Sequence, residues 1–166
     1  MDVEHLVVMG VSGTGKSTVG LELARRLGRP FLEGDDLHPE ENVARMSAGV
    51  ALVDEDRGPW LAAVRDAMSG HADAGTSTVV ACSALRRAYR AVLREATGRV
   101  RFVLLDVDGD VLRERVATRT GHWMPLALLD SQLATLEPLG PDEDGVTLPV
   151  GGPPDAVVTE VLAALA

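Results

Sequence analysis

The sequence predicts an α/β fold on a mainly parallel sheet, and three observations carry that expectation. Short apolar runs alternate along the chain with longer segments whose apolar residues recur three and four apart. The first such run, Leu6-Val7-Val8-Met9, feeds straight into a glycine-rich turn and then a helical segment. The chain is 46% hydrophobic but only 3% aromatic, so its core must be aliphatic, the usual filling of a sheet wrapped in helices. A length of 166 residues suits a single domain, 1–166, with no internal repeat or linker.

Taken in order, Leu6 to Met9 is short enough for a buried strand, and Thr18 to Leu27 places Val19, Leu23 and Leu27 on one helical face. Gly28 stands where a helix stops, with Pro30 beyond it. Phe31-Leu32-Glu33 reads as a second strand, running into the turn-rich Gly34-Asp35-Asp36-Leu37-His38-Pro39. Residues 40–47 form a short helix. A longer helix is expected from about Pro59, a residue suited to a first turn, with Trp60, Leu61, Val64 and Met68 on one face. Thr78 to Cys82 is a third strand, followed by a helix marked by Leu85, Tyr89, Val92 and Leu93. Phe102 to Leu105 is a fourth, followed by a helix from Val111 to Arg119. After a turn at Gly121 to Pro125, a short helix carries Leu128, Leu129 and Leu133. Residues 137–145 are a loop, Val146 to Val150 a fifth strand, and Val157, Val158, Val161, Leu162 and Leu165 the apolar face of a closing helix.

Charge and composition narrow the function. A net charge of −9 makes nucleic acid a poor partner. No apolar run approaches the length of about 18 residues that spans a bilayer, and no basic-then-apolar leader opens the sequence. Cys82 is alone, so no disulfide within the chain can form, which fits a reducing cytoplasm. It is expected as a buried core residue rather than a nucleophile, and Trp60, Trp123, His5 and His71 as packing or surface.

Gly10-Val11-Ser12-Gly13-Thr14-Gly15-Lys16-Ser17 satisfies G-x-x-x-x-G-K-[ST], between a strand and a helix as that motif requires. Glycines let successive N–H groups converge on an anion, and the helix start adds unpaired donors and its positive dipole end. Gly10, Ser12, Gly13, Thr14, Gly15 and Thr18 therefore line a triphosphate cradle, Lys16 reaches the β- and γ-phosphates, and the Ser17 hydroxyl takes a Mg²⁺ position. Many such proteins add a metal-holding Asp at a strand end. The third strand here ends in Cys82-Ser83-Ala84, and Asp106 after the fourth reads as the start of a turn, so the metal carboxylate is expected from Asp35, beyond the second strand.

Phosphoryl transfer to an alcohol also needs a carboxylate at the hydroxyl and cations over the transferring group. Asp35 is the candidate base, with Asp36 second, since neighbours past a strand end diverge; the alternative is that both are solvated turn acids. A cationic lid is expected over Leu112 to Pro125, where Arg115, Arg119 and His122 are spaced i, i+4, i+7 and Gly121 and Pro125 bracket a flap. The alternative is a solvated, salt-bridged face. Arg57 suits bidentate capture of a substrate carboxylate, or else pairs with the acids around it. Arg86 and Arg90 lie one turn apart after the third strand, on the ligand edge.

Five blocks, in order, resemble the gluconokinase family: Gly34 to Pro39 with Asn42 and Met46; Leu52-Val53-Asp54-Glu55-Asp56-Arg57-Gly58-Pro59-Trp60-Leu61; Cys82-Ser83-Ala84-Leu85-Arg86-Arg87-Ala88-Tyr89-Arg90; His122-Trp123-Met124-Pro125; and Leu129, Ser131-Gln132, Leu136-Glu137-Pro138. The resemblance implies a P-loop kinase fold akin to shikimate and adenylate kinases, with five parallel strands flanked by helices on both faces. It implies a lid segment at about 113–136 and substrate-binding helices at about 36–72. The activity it implies is transfer of the γ-phosphoryl of ATP to the 6-hydroxyl of D-gluconate, with Mg²⁺, by a cytoplasmic homodimer. Asp35 would orient the hydroxyl, while His38, Arg57, Arg86 and Arg90, with His122 from the lid, would hold the sugar acid. Arg119 would be the lid arginine acting with Lys16 and Asp35, and Arg115 would lie near the adenine. Trp123 stands where the family usually has Phe, and Asp36 where it varies. Two rival readings fit the same residues: a kinase of another small acid such as shikimate, and a nucleotide-gated switch, against which the lack of an N-K-x-D stretch counts.

Overall fold

The computed structural model describes residues 2–118 and 126–166. Its sheet has five strands: β1 (Glu4–Met9), β2 (Phe31–Glu33), β3 (Thr78–Ala81), β4 (Arg99–Asp106) and β5 (Gly145–Pro149). Their spatial order is β2-β3-β1-β4-β5, and every pairing is parallel. The helices are α1 (Lys16–Leu27), α2 (Glu40–Ser47), α3 (Asp54–Asp73), α4 (Arg87–Arg94), α5 (Gly109–Thr118), α6 (Leu126–Thr135) and α7 (Pro154–Leu165).

Strand residues alternate between two cores, and both are apolar because helices cover both faces. Val7, Met9, Val80, Phe102 and Leu104 pack with Leu61, Val64 and Met68 of α3 and Leu93 of α4. Leu6, Val8, Val79, Val103 and Leu105 pack with Val19 and Leu23 of α1 and Val158 and Val161 of α7. Phe102 is fully buried, and truncating such a side chain to Ala costs about 3–5 kcal/mol. No described helix is long and apolar enough to cross a membrane.

Most element boundaries match expectation, with two corrections. Helix α3 starts at Asp54, five residues before Pro59, which lies inside it. Its first turn carries Asp54, Glu55 and Asp56, and the Asp56 carboxylate accepts the Val53 N–H at 3.0 Å, so acidic capping sets the start rather than proline. At the other edge, Asp106 does not open a turn. It is the last residue of β4, its carbonyl accepts the Val150 N–H, and the helix behind it is started by Asp108, whose carboxylate accepts from Asp110 and Val111.

Candidate active site

Because all strands point the same way, the segments leaving β1, β2 and β3 gather at one edge, where an open parallel sheet binds ligands. The cleft there is lined by Ser12, Gly13, Gly15, Lys16, Ser17 and Thr18 on one side, by Asp35, His38, Met46, Leu52, Arg57 and Trp60 on the other, and by Ser83, Leu85 and Gln132 between them.

The loop after β1 has the form its spacing predicts. Gly15 precedes α1 at φ 92°, a left-handed conformation that glycine adopts without strain, and turns the amides of the first helical turn outward. No side chain caps this helix and its first turn holds no acid, so it is the kind of terminus that takes an anion. The loop's polar groups meet protein partners: Ser12 N–H donates to Gln132 Oε1 at 2.7 Å, Lys16 Nζ to the Val11 carbonyl at 3.1 Å, and Arg115 from α5 to the Gly13 carbonyl at 3.1 Å.

Beyond β2 the chain passes the end of β3 so closely that a Cβ on Gly34 would sit 2.4 Å from the Ala81 carbonyl oxygen. Only glycine fits there, and the close passage sets Asp35 in the cleft while Asp36 stays exposed. Trp60 of α3 fixes the same turn by donating Nε1–H to the Gly34 carbonyl at 2.8 Å.

Glu33 was not read from the sequence as a site residue, yet its carboxylate accepts the Ser17 hydroxyl. Burial pushes its pKa up, against the Ser17 hydrogen bond. Glu33 ends β2 and the chain turns at once into a 3₁₀ segment, Gly34–Leu37, so the spacing of positions 33 and 35 carries no strand-face signal. Ser17 and Asp35 line the same cleft, and the Glu33 carboxylate backs Ser17, so the groups there are hard oxygen donors of the kind Mg²⁺ takes.

His38 stacks on Trp60, ring centroids 4.0 Å apart and 14° from parallel. Burial lowers its pKa to about 4, so the ring is neutral at pH 7. Asn42 donates from Nδ2 to His38 Nδ1 at 3.2 Å and to the Asp56 carbonyl at 2.8 Å, which leaves the ring proton on Nε2. Trp60 is thus both buried and part of the cleft wall, more than the packing residue expected.

The arginines divide. Arg57 reaches the cleft and is held from behind: it donates to the Tyr89 hydroxyl at 2.7 Å, and that hydroxyl donates to Asp54. Pairing with a neighbouring acid and facing the cleft therefore coexist. Arg86 sits behind it, 3.6 Å from Asp54 and outside the cleft lining. Arg90 overturns its expectation. It is 0% exposed, makes two hydrogen bonds to Glu143 at 2.6 and 2.9 Å, and donates to the Ala84 carbonyl at 2.9 Å. The helix turns it inward, where no substrate reaches. These hydrogen bonds, with Arg94 beside them, hold Glu143 down to about 2. Arg119 and His122 lie outside the described residues.

Known proteins align with this geometry. The sequence pattern of a family described as an AAA domain matches residues 6–139. A gluconokinase of Gluconobacter oxydans is 49% identical over 157 residues, which cover 95% of this chain and 88% of that protein. The thermosensitive gluconokinase of Escherichia coli is 41% identical over 143 residues, covering 86% and 76%. Among solved structures, a gluconokinase from Sinorhizobium meliloti superposes with TM-score 0.87 at 48% identity, covering 98% of this chain and 91% of that one. A shikimate kinase from Aquifex aeolicus shares the fold at TM-score 0.61 and 19% identity, covering 97% and 95%. Phosphate loop, parallel sheet and relatives converge: the chain belongs to the gluconokinase family of P-loop kinases.

Proposed function

We propose that the protein phosphorylates D-gluconate at its 6-hydroxyl with ATP, giving 6-phospho-D-gluconate and ADP. The observation that carries this reading is one cleft in which an uncapped helix start and Lys16 face Asp35 and Arg57. A nucleotide switch needs the first half of that arrangement and has no use for the second. Relatives named gluconokinase at 39–49% identity supply the acceptor.

In this reading the amides from Gly13 to Thr18 and the Lys16 ammonium hold the phosphates. Lys16 exchanges the Val11 carbonyl for phosphate oxygens. Mg²⁺, when bound, neutralises charge on the phosphate oxygens; Ser17 and Asp35 would hold it, with Glu33 behind Ser17. The acceptor lies against Asp35, His38 and Arg57. Arg57 takes the sugar carboxylate with a guanidinium braced by Tyr89, and neutral His38 offers its Nε2–H to a sugar hydroxyl. Asp35 orients the 6-hydroxyl, whose oxygen forms the new bond to phosphorus as the bond to the β-phosphate oxygen breaks. Asp35 then accepts the hydroxyl proton, late in the transfer, and passes it to solvent. Arg115, already on the Gly13 carbonyl, lies on the nucleotide side. The family resemblance assigns Arg119 and His122, outside the described residues, to a lid at about 113–136, and substrate binding to helices at about 36–72, within a single domain. The homodimer and the cytoplasmic setting follow the family resemblance, and buried, unpaired Cys82 fits a reducing compartment.

A coupled ADP-release assay over gluconate, shikimate, glycerate and nucleoside monophosphates tests the reading. Gluconate-dependent turnover is expected. Turnover of another acceptor with gluconate inert removes the substrate assignment, and nucleotide binding without any turnover returns the switch.

A further inference from the structure

Arg90 cannot touch substrate, yet its contacts lead back to the cleft. Among the described residues Ala84 is the non-glycine with positive φ, at 46°, and it is fully buried. A side chain in that conformation is strained and persists only where the surroundings over-determine it. Ala84 stands between Ser83 and Leu85, both of which line the cleft. The Ser83 carbonyl also accepts the Gly10 N–H at 3.3 Å, tying this segment to the start of the phosphate loop.

The contacts of its neighbours over-determine Ala84. Arg90 Nη1 donates to its carbonyl at 2.9 Å, and the same guanidinium is fixed by two bonds to Glu143, whose side chain is 1% exposed. The next carbonyl, that of Leu85, accepts the Glu137 N–H at 2.7 Å, and the Glu137 carboxylate accepts the Arg87 N–H at 3.1 Å. Arg90 Nη2 also reaches the Pro138 carbonyl at 3.4 Å. One buried ion pair thus clamps the segment behind the cleft to the segment leaving α6, the helix that carries Gln132 to the Ser12 amide.

We infer that Arg90 and Glu143 are positioning residues for phosphoryl transfer: they hold Ala84 in its left-handed conformation and so set the Ser83–Leu85 wall against the acceptor. The inference rests on the gluconate reading above. Lysine at position 90 keeps the charge but has one nitrogen and cannot serve Glu143 and the Ala84 carbonyl together. The wall then relaxes toward ordinary backbone geometry. The acceptor side suffers most, since the phosphates are held by amides of the loop itself.

The test measures both KM values, kcat and thermal unfolding for the native protein, Arg90→Lys, Ala84→Gly and Arg90→Lys/Ala84→Gly. Native turnover of gluconate is the control, and its absence would remove the substrate reading rather than this one. Arg90→Lys should raise KM for gluconate at least about tenfold while KM for ATP moves less than about threefold. Adding Ala84→Gly, which frees the left-handed conformation of strain, should return gluconate KM to within about threefold of the Ala84→Gly protein. A merely structural arginine gives a lower melting temperature with no such split and no rescue by glycine. An unchanged gluconate KM, or a loss that glycine does not relieve, overturns the proposal. Should Arg90→Lys not fold, Glu143→Gln keeps the volume and two acceptor lone pairs while weakening the clamp. It should raise gluconate KM at least about threefold, and a native value there overturns the proposal equally.

Discussion

The two long walls of the cleft are built on different principles. The phosphate wall is a local device: Gly13 to Thr18 are consecutive, their donors are backbone amides, and only Lys16 and Ser17 add side-chain chemistry. The wall proposed for the acceptor is assembled from side chains: Asp35 from the turn after β2, His38 just beyond, Arg57 and Trp60 from α3, with Arg57 held by Tyr89, the turn at Gly34 by Trp60, and His38 by the Trp60 ring. The helix starts differ in the same sense. Helix α1 keeps an acid-free first turn, whereas α3 places three carboxylates there and caps itself through Asp56. A backbone cradle is indifferent to the acceptor. Specificity has to come from the wall that needed the whole fold to form.

Damage to the two walls should therefore look different. The largest effect is expected on the phosphate side, where Lys16→Ala should cut kcat by about 10³-fold or more with every acceptor tried while circular dichroism stays native. Residual activity near the native level would remove the lysine from that wall. Next is Asp35→Asn, expected to lower kcat about 10²-fold, while the exposed Asp36→Asn changes it less than about threefold. Reversal of the two would mean that the acceptor wall turns the other carboxylate inward. Arg57→Lys should act on recognition, raising KM for gluconate about tenfold with kcat and ATP affinity near native, because one ammonium cannot reproduce a braced fork. An equal effect on ATP would erase the distinction between the walls.

Two smaller effects sharpen it. Asp56→Ala removes the acceptor of the Val53 amide and should cost about 1 kcal/mol, read as a melting temperature lower by about 2–4 °C with gluconate KM moved less than about threefold. For His38, the folded pKa of about 4 lies below the ordinary 6.5. Its contribution to stability is thus complete above the ordinary value and lost as the pH falls through 4. The ring resonances should titrate near pH 4 in the folded protein. A midpoint near 6.5 would mean that the stack on Trp60 does not exclude water, and gluconate KM would then vary across neutral pH.

Legibility in the sequence follows the same division. The phosphate loop was readable because glycine spacing, a preceding apolar run and a following helical face all lie within one short stretch. Strand and helix order was readable because a sheet covered on both faces leaves uninterrupted apolar runs. Asp35 could be placed beyond β2, but the reason it faces inward, the tight passage of Gly34 over Ala81, depends on a strand pairing that no local pattern encodes. Glu33 had no local signal, because the chain leaves the strand for a 3₁₀ turn directly after it. Gln132 could not have been found from local pattern, since its contact with Ser12 spans 120 positions. Arg90 misled because motif spacing gives the helical face and not which face is buried; its partner Glu143 sits in what reads as a featureless loop.

Cys82 lies directly under this cleft, 1% exposed, its thiol pushed up to about 12 chiefly by burial. Buried and protonated at neutral pH, the chain's single sulfhydryl is a poor target for peroxide or an alkylating reagent, so thiol-blocking reagents should leave turnover near native.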